Sequence, residues 1–474
     1  MNNAVRSIIS ATTYARSDCQ VGVVHLGFGA FHRAHQAVYI DDYMEKTGDL
    51  GWGIAAVNLR GSESAGFAAA ADEITRHDGY YLKSYAHDGR EMVQRIRSHV
   101  QFCDWADDPG AAEHLLAHDT VGLVTITVTE SGYYTGPDGD LNLDDPTIAR
   151  EITGAGKQTV YAYLRAGLHR RRAQQGRGLV IACCDNIRQN GNMLRRNMLA
   201  YLQACGDTDL HDWVVGHVQF PCSMVDRITP RSAPELATEL SKTVGHLVQS
   251  PVMAEDFMQW ILQATGPDTR MPNLAHAGVT ITPDVDPYEE TKIRVLNGGH
   301  TALAYFAALA GVETFDAAMR VPHLAQHFQN FQTQEVLPAL TLPLPFSKHD
   351  YLASITQRFC NRAIGDTIAR ICADGMAKFP IFIRPTLQGC LAQGHMPIHA
   401  IRSIASWHQF ARHVDAGKIG FDYIDPSWGE LQAMLGQDTF VTSPQLWADI
   451  PQTYPKFAET LRHEISEMEL KWPV

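Results

Sequence analysis

Four side chains able to move or hold a proton share one short stretch, Tyr288-Glu289-Glu290-Thr291-Lys292-Ile293-Arg294-Val295-Leu296-Asn297-Gly298-Gly299-His300. On a helical wheel advancing about 100° per residue from Lys292, Glu289 falls at about 60°, His300 at about 80° and Asn297 at about 140°. A base, a carboxylate, an imidazole and a carboxamide therefore share one arc. Lysine can take a proton from an alcohol when desolvation or a nearby cation lowers its pKa to roughly 7 or 8. Asn297, and Asn186 earlier in the chain, can donate hydrogen bonds to the alkoxide that develops. His300 can orient the hydroxyl and Glu289 can relay the proton to water. The plain alternative is a polar helix start with its lysine in water, and spacing alone does not separate the two. Gly298-Gly299 costs a helix roughly 1 kcal/mol per glycine relative to alanine, which close packing or a ligand would explain.

Arg370, Asp374 and Lys378 recur at four-residue spacing in a second helical stretch. Asp374 could simply pair with both cations at the surface, for roughly a few tenths of a kcal/mol each. Alternatively, Arg370 and Lys378 reach the oxygens of a polyol or a carboxylate.

The elements that must position these groups begin with Val21-Gly22-Val23-Val24-His25-Leu26, a β-branched run ending in Gly27-Phe28-Gly29-Ala30-Phe31-His32. With a helix predicted over Ala34 to Met44, this strand, glycine turn and helix form a dinucleotide-binding unit whose helix N-terminus favours a pyrophosphate. His32 stands where Gly-x-Gly-x-x-Gly has its third glycine. Trp52 to Val57 reads as the next strand. Its end carries Asn58 and Arg60, with Glu63 beyond, where NAD-selecting proteins place an acid; an arginine there can accept a 2′-phosphate, so NAD and NADP both stay open. Further strands are predicted over Val121 to Val128, Gly178 to Cys184 and Trp213 to Phe220. Polar residues at such strand ends, Thr129-Glu130-Ser131 and Asp185-Asn186, are ligand-crevice candidates or capped turns. Helices are predicted around Val160–Arg172 and Met193–Ala204, and turn chemistry at Gly136-Pro137-Asp138-Gly139-Asp140. After Thr282 strand signals become scarce, and helical spacing runs through Lys292–Leu309, Phe315–Asn330, Tyr351–Arg362, Thr367–Lys378, Arg402–Val414 and Pro455–Met468. The expected class is α/β: a Rossmann-type doubly wound sheet over 1–287 and a mainly α-helical second domain over 288–474.

A chain of 474 residues with 45% hydrophobic and 19% charged residues matches an ordinary globular composition. A net charge of −13 argues against a nucleic-acid partner, and Arg170-Arg171-Arg172 reads as decoration on an exposed helix face. Nine cysteines without Cys-x-x-Cys spacing fit reduced thiols, Cys183-Cys184 being buried in a strand. No signal peptide is visible in Met1 to Cys19 and no membrane span is expected, so the predicted location is cytoplasmic. No zinc-ligand spacing, nucleophile elbow or Walker loop occurs. A partial dinucleotide turn plus a lysine-centred polar helix face points to hydride transfer.

The same residues resemble a known family, the polyol-specific long-chain dehydrogenases that include mannitol 2-dehydrogenase and fructuronate reductase. The resemblance covers roughly residues 20 to 400. It is carried by His25-Leu26-Gly27-Phe28-Gly29-Ala30-Phe31-His32-Arg33-Ala34-His35-Gln36, Thr127-Val128-Thr129-Glu130, Cys184-Asp185-Asn186, Phe220-Pro221-Cys222-Ser223-Met224-Val225-Asp226-Arg227-Ile228 and Lys292-x4-Asn297-x2-His300. It implies a zinc-independent, NAD-linked enzyme with its site between the domains. Lys292 would be the general acid/base, Asn186 and Asn297 would hold the reacting oxygen, and Glu289 would pass the proton outward. His300 would position substrate, Asp226 support the site, and Arg370 and Lys378 bind substrate oxygens. Gly27, Phe28, Gly29, Ala30, Phe31, Asn58, Arg60, Thr129 and Asn186 are the coenzyme-binding candidates. Lys378-Phe379-Pro380-Ile381-Phe382-Ile383 resembles the polyol branch (mannitol, arabinitol, sorbitol) more than the uronate branch. The expected substrate is a polyol or ketose, with fructuronate or tagaturonate reduction second and a non-catalytic dinucleotide sensor third. Nothing in the sequence sets the oligomeric state; a monomer is compatible with it.

Overall fold

The computed structural model describes residues 9–136, 138–267, 269–436 and 438–474. The first eight residues of the N-terminal stretch, and Pro137 of the predicted turn, lie outside them. The chain divides into two compact units, one made of residues up to Ala86 and Arg90–Val285, the other of His87–Gly89 and Asp286–Val474.

In the first unit six strands, β1 Val21–Leu26, β2 Gly53–Asn58, β3 His99–Asp104, β4 Leu123–Ile126, β5 Leu179–Cys183 and β6 Val218–Gln219, form a wholly parallel sheet in the order β3-β2-β1-β4-β5-β6. That is the doubly wound dinucleotide-fold order, with its switch point between β1 and β4. Successive side chains alternate between two cores. Val24, Leu26, Val57, Val124, Ile126 and Ile181 face one, and Val23, Ile54, Leu123, Val180 and Ala182 face the other. Burial of both faces is why these strands read as nearly unbroken apolar runs. Two smaller sheets complete the unit. One joins Ile9–Ala11, Glu91–Ile96, Tyr80–Tyr85 and Val252–Glu255; the other joins Ser223–Asp226, Gln259–Gln263 and Thr280–Thr282.

Several expectations change here. Trp213 to His217 is helix, within Thr208–His217, and only Val218–Gln219 is strand. Leu210, Trp213 and Val214 are buried while Val215 is 47% exposed, a helical rhythm that the dense β-branched and aromatic content concealed. The helix expected over Ala34 to Met44 is two helices, Ala30–Ala34 and Gln36–Thr47, parted at His35, whose φ of −129° and ψ of −89° are not helical. Arg171 is not surface decoration: it is 1% exposed and donates to the carbonyls of Leu116, His118, Arg177 and Gly178. All nine cysteines are free thiols, with Cys183 and Cys184 buried.

Among the described residues no strand follows Thr280–Thr282, and the second unit is helical around one apolar core that includes Leu303, Tyr305, Phe379, Trp407 and Trp447. Among the described residues its helices are interrupted by three π-helical segments, Lys292–Asn297, Phe331–Val336 and Phe379–Ile383. The helix predicted across Thr367–Lys378 is broken instead. Ile368–Cys372 ends before Asp374, whose φ of 58° is left-handed, and Gly375–Lys378 starts anew. Among the described residues no helix is long and apolar enough to cross a membrane.

Candidate active site

At the carboxyl end of β1 the chain turns through Gly27, whose φ is +90°. A Cβ on Gly27 would lie 2.1 Å from the carbonyl oxygen of Thr127, so two backbones meet there and only glycine fits. Gly29, by contrast, faces open space. Between them and the ends of β2 and β4 lies a cleft of about 210 Å³. It is lined by Gly27, Phe28, Gly29, Asn58, Arg60 and Thr129 from the predicted set; Ala30, Phe31 and Asn186 are not on its wall. Leu59, Glu63, Thr127, Gly132, Tyr134, Gln158 and Thr159 also line it. Of these, Thr159 had a readable signal: its hydroxyl caps the helix Val160–Gln174 by accepting from Ala162 N, a Ser/Thr placed just before an apolar helix.

His32, standing in for the third glycine, is fully buried. Its ring stacks on His25 with centroids 3.3 Å apart, and its Nε2 shares a hydrogen bond with His99 Nε2 at 2.9 Å. Burial pushes the pKa of all three rings well down, with mutual repulsion adding to it, so they remain neutral near pH 7. Neutral imidazoles stacked beneath the turn take the place of the close helix–strand approach that a glycine would permit.

The far wall depends on Asp185. Its carboxylate accepts from Val128 N at 2.9 Å, Thr129 N at 3.1 Å and the Tyr133 hydroxyl at 2.7 Å. These bonds hold Thr129 at φ 66°, ψ 163°, a region costing a non-glycine residue on the order of 1–3 kcal/mol. Burial raises the Asp185 pKa to about 6, against the lowering effect of those donors. Asn190 then ties the next turn down: its side-chain amide donates to Asp185 O and Ser223 O and accepts from Ser223 N. Exposed Asn186 thus sits on a turn fastened to the strand Ser223–Asp226, which ends in the buried Asp226. Asp185, read from the sequence as a ligand-crevice candidate or a capped turn, braces the turn at Val128 and Thr129; Asn190 went unrecognised because it works on main-chain groups of Ser223, far off in sequence.

In the second unit Lys292 begins the first π-helical segment and Asn297 ends it. In a turn closed i→i+5, residues five apart come nearly into line along the axis, as residues four apart do in an α-helix. The α-helical wheel, which parts Lys292 and Asn297 by about 140°, therefore understates how closely they share a face. His300 follows one turn on, its ring 4.1 Å from Phe359 and edge-on to Phe315 at 4.6 Å. Loss of water lowers its pKa to about 3; Asp366 opposes that and Arg370, Arg358 and Lys378 reinforce it, so His300 is neutral at working pH. Lys292 and Glu289 are 7% and 8% exposed, so the bland reading of a lysine in open water does not hold.

The glycine pair has a packing role. A Cβ on Gly299 would stand 2.7 Å from Gln332 Nε2 and 2.8 Å from Phe328, and one on Gly298 would stand 3.1 Å from the carbonyl oxygen of Phe382. Gln332 in turn donates to the Val295 carbonyl at 2.8 Å, satisfying an acceptor in the widened turn. Arg370 does not pair with Asp374: its guanidinium forks onto Asp366, one turn back. Lys378 donates to Ile371 O at 3.0 Å, and burial lowers its pKa, with Asp374 opposing and Arg370 adding. Among the described residues no group of three or more His, Cys, Asp or Glu is placed to hold a metal ion.

Comparison with known proteins matches residues 21–276 to the mannitol dehydrogenase Rossmann domain and residues 284–469 to the mannitol dehydrogenase C-terminal domain. The chain is 33% identical over 471 residues to a mannitol 2-dehydrogenase of Pyrenophora tritici-repentis, covering 97% of this chain and 82% of that one. It is 35% identical over 378 residues to a D-arabinitol 4-dehydrogenase of Ralstonia nicotianae, covering 79% and 80%. Among solved structures, the Pseudomonas fluorescens mannitol 2-dehydrogenase ternary complex with NAD and D-mannitol superposes with a TM-score of 0.84 at 30% identity, over 97% of this chain and 94% of that one.

Proposed function

This chain belongs to the mannitol dehydrogenase family, and we propose that it interconverts a polyol of the mannitol, D-arabinitol or sorbitol type and its ketose, with NAD as coenzyme, without a metal ion and with Lys292 as general acid/base. The observation that carries the reading is the pairing of Lys292 and Asn297 on one widened helical turn beside a neutral His300.

The coenzyme, when bound, accepts or returns a hydride at its nicotinamide ring. Gly27 and Gly29 admit it to the cleft because neither presents a side chain, and the open space at Gly29 is what such a ligand needs. Lys292 takes the proton of the reacting hydroxyl. Asn186 and Asn297 donate hydrogen bonds to the oxygen as charge grows on it. His300, uncharged, positions a neighbouring hydroxyl without competing for the proton. Glu289, three residues before Lys292, passes the proton outward. Arg370, held in one orientation by Asp366, and Lys378 bind further hydroxyls of the substrate. Asp226 supports the arrangement from the end of its strand. The chain's relatives act on polyols by their names, which supports the polyol over a uronate.

Side-by-side NAD-linked assays with mannitol, D-arabinitol, sorbitol and fructuronate test the assignment. Turnover of at least one polyol is expected, persisting after chelation; preference for fructuronate would overturn the substrate class, and loss on chelation the metal independence.

A further inference from the structure

We propose that Arg60 and Glu63 make the adenosine-ribose end of the cleft two-sided, Glu63 serving an unphosphorylated ribose and Arg60 a 2′-phosphate, so that the chain binds NADP(H) as well as NAD(H). This rests on the reading of the cleft as a dinucleotide site.

In the doubly wound fold an acid at the end of β2 takes the ribose hydroxyls and excludes a phosphate. Here that position is Asn58, and its amide is turned back into the protein. The two N–H groups of its Nδ2 face three acceptors: Arg60 O at 2.9 Å, Asp104 Oδ2 at 3.1 Å and Ser64 Oγ at 3.4 Å. Asp104, the nearest carboxylate on the neighbouring strand, is occupied by Asn58 and by Ala106 N. Neither residue is left to discriminate between coenzymes. The ionic groups that do line the cleft are Arg60 and Glu63, paired at 3.7 Å with side chains 48% and 59% exposed.

An exposed pair of that length is weakly held and readily exchanged. A 2′-phosphate offers the guanidinium a denser charge and a two-pronged partner, so it displaces Glu63 from Arg60. A plain ribose leaves the pair closed, with Glu63 oxygens available to accept from its hydroxyls. Each coenzyme thus finds one favourable member of the pair, and neither meets an unpaired like charge without a counterion beside it.

The test is direct binding without any polyol, by fluorescence titration of the full chain with NADH and NADPH. Wild-type dissociation constants within about tenfold of each other are expected, with NADPH the more salt-sensitive. Glu63→Gln should tighten NADPH and weaken NADH; Arg60→Gln should weaken NADPH about tenfold more than NADH. A purely structural pair would shift both ligands in the same direction in both variants, and that result overturns the proposal. NADH binding with NADPH more than about a hundredfold weaker also overturns it while leaving the dinucleotide site intact. Binding of neither ligand overturns both readings.

Discussion

In the first unit the polar groups of interest sit where parallel strands end; in the second, Lys292 and Asn297 sit on a turn of helix that holds one residue too many. The strand ends are fixed by hydrogen bonds between main chain and a few buried side chains, with Asp185 and Asn190 joining segments otherwise remote. The widened turns are fixed by packing: glycines at 298 and 299, Phe328 against one of them, and Gln332 closing a loosened carbonyl. A ligand that must be threaded along a backbone is served by the first arrangement. A proton donor that must stand on one face with its partners is served by the second.

The comparison breaks most sharply at Lys292. Lys292→Ala should lower turnover by about 10³-fold or more while NADH binding stays near wild type, since the loss falls on proton transfer alone. An alanine variant that still turns over would end the assignment. Next comes Gly27→Ala, whose Cβ meets the Thr127 carbonyl in a positive-φ turn. NADH affinity should drop about a hundredfold, with circular dichroism largely kept; intact affinity would show that the turn does not shape the cleft. Gly299→Ala is the counterpart in the helical unit. Overpacking against Phe328 and Gln332 should cost about 1–3 kcal/mol in chemical denaturation, and kcat should fall while NADH affinity holds.

A smaller effect separates the two regions by pH. The Asp185 carboxyl is raised from 3.8 to about 6, chiefly by burial, so protons enter below about pH 6 and the acceptor for Val128, Thr129 and Tyr133 is lost. NADH affinity should fall as pH drops through that value, and Asp185→Asn should be weak and nearly flat with pH. Folding stability from this group moves the other way. The folded state holds more protons than the unfolded between pH 3.8 and about 6, so the contribution is greatest at the acid end and declines as pH rises through the window. His300, already lowered to about 3, contributes no limb above pH 4.

The legible parts of the sequence were those where one residue type answers one physical demand. The β-branched run before Gly27 could only be a buried strand, and the alternation of βα elements carried the doubly wound sheet. Strand β3 went unread because it is an edge strand of mixed polarity, His99–Asp104, most of it only partly buried or exposed. Trp213 to His217 was misread because β-branched and aromatic content outweighed a helical rhythm of burial. The break at Asp374 was invisible because Arg370, Asp374 and Lys378 fit α-helical spacing equally well whether or not the chain is continuous there. The widened turn was hidden for a related reason: its residues satisfy an α-helical pattern on either side, and the extra residue shows only when a carbonyl must be matched to its donor.

The three π-helical segments carry a consequence for how this chain can change length. Each holds a surplus residue inside an otherwise regular rod, so removing one residue from Lys292–Asn297 need not break the helix. It would heal into an ordinary α-helix in which residues four apart stand where residues five apart stood, so the two ends of the segment keep nearly the same face. Deleting Arg294 would preserve the hydrophobic count and leave Lys292 and His300 facing nearly the same way. In this unit a widened turn can absorb a change of one residue in length, and alignments that slide a gap by one residue across these turns misplace Lys292 without changing its letter.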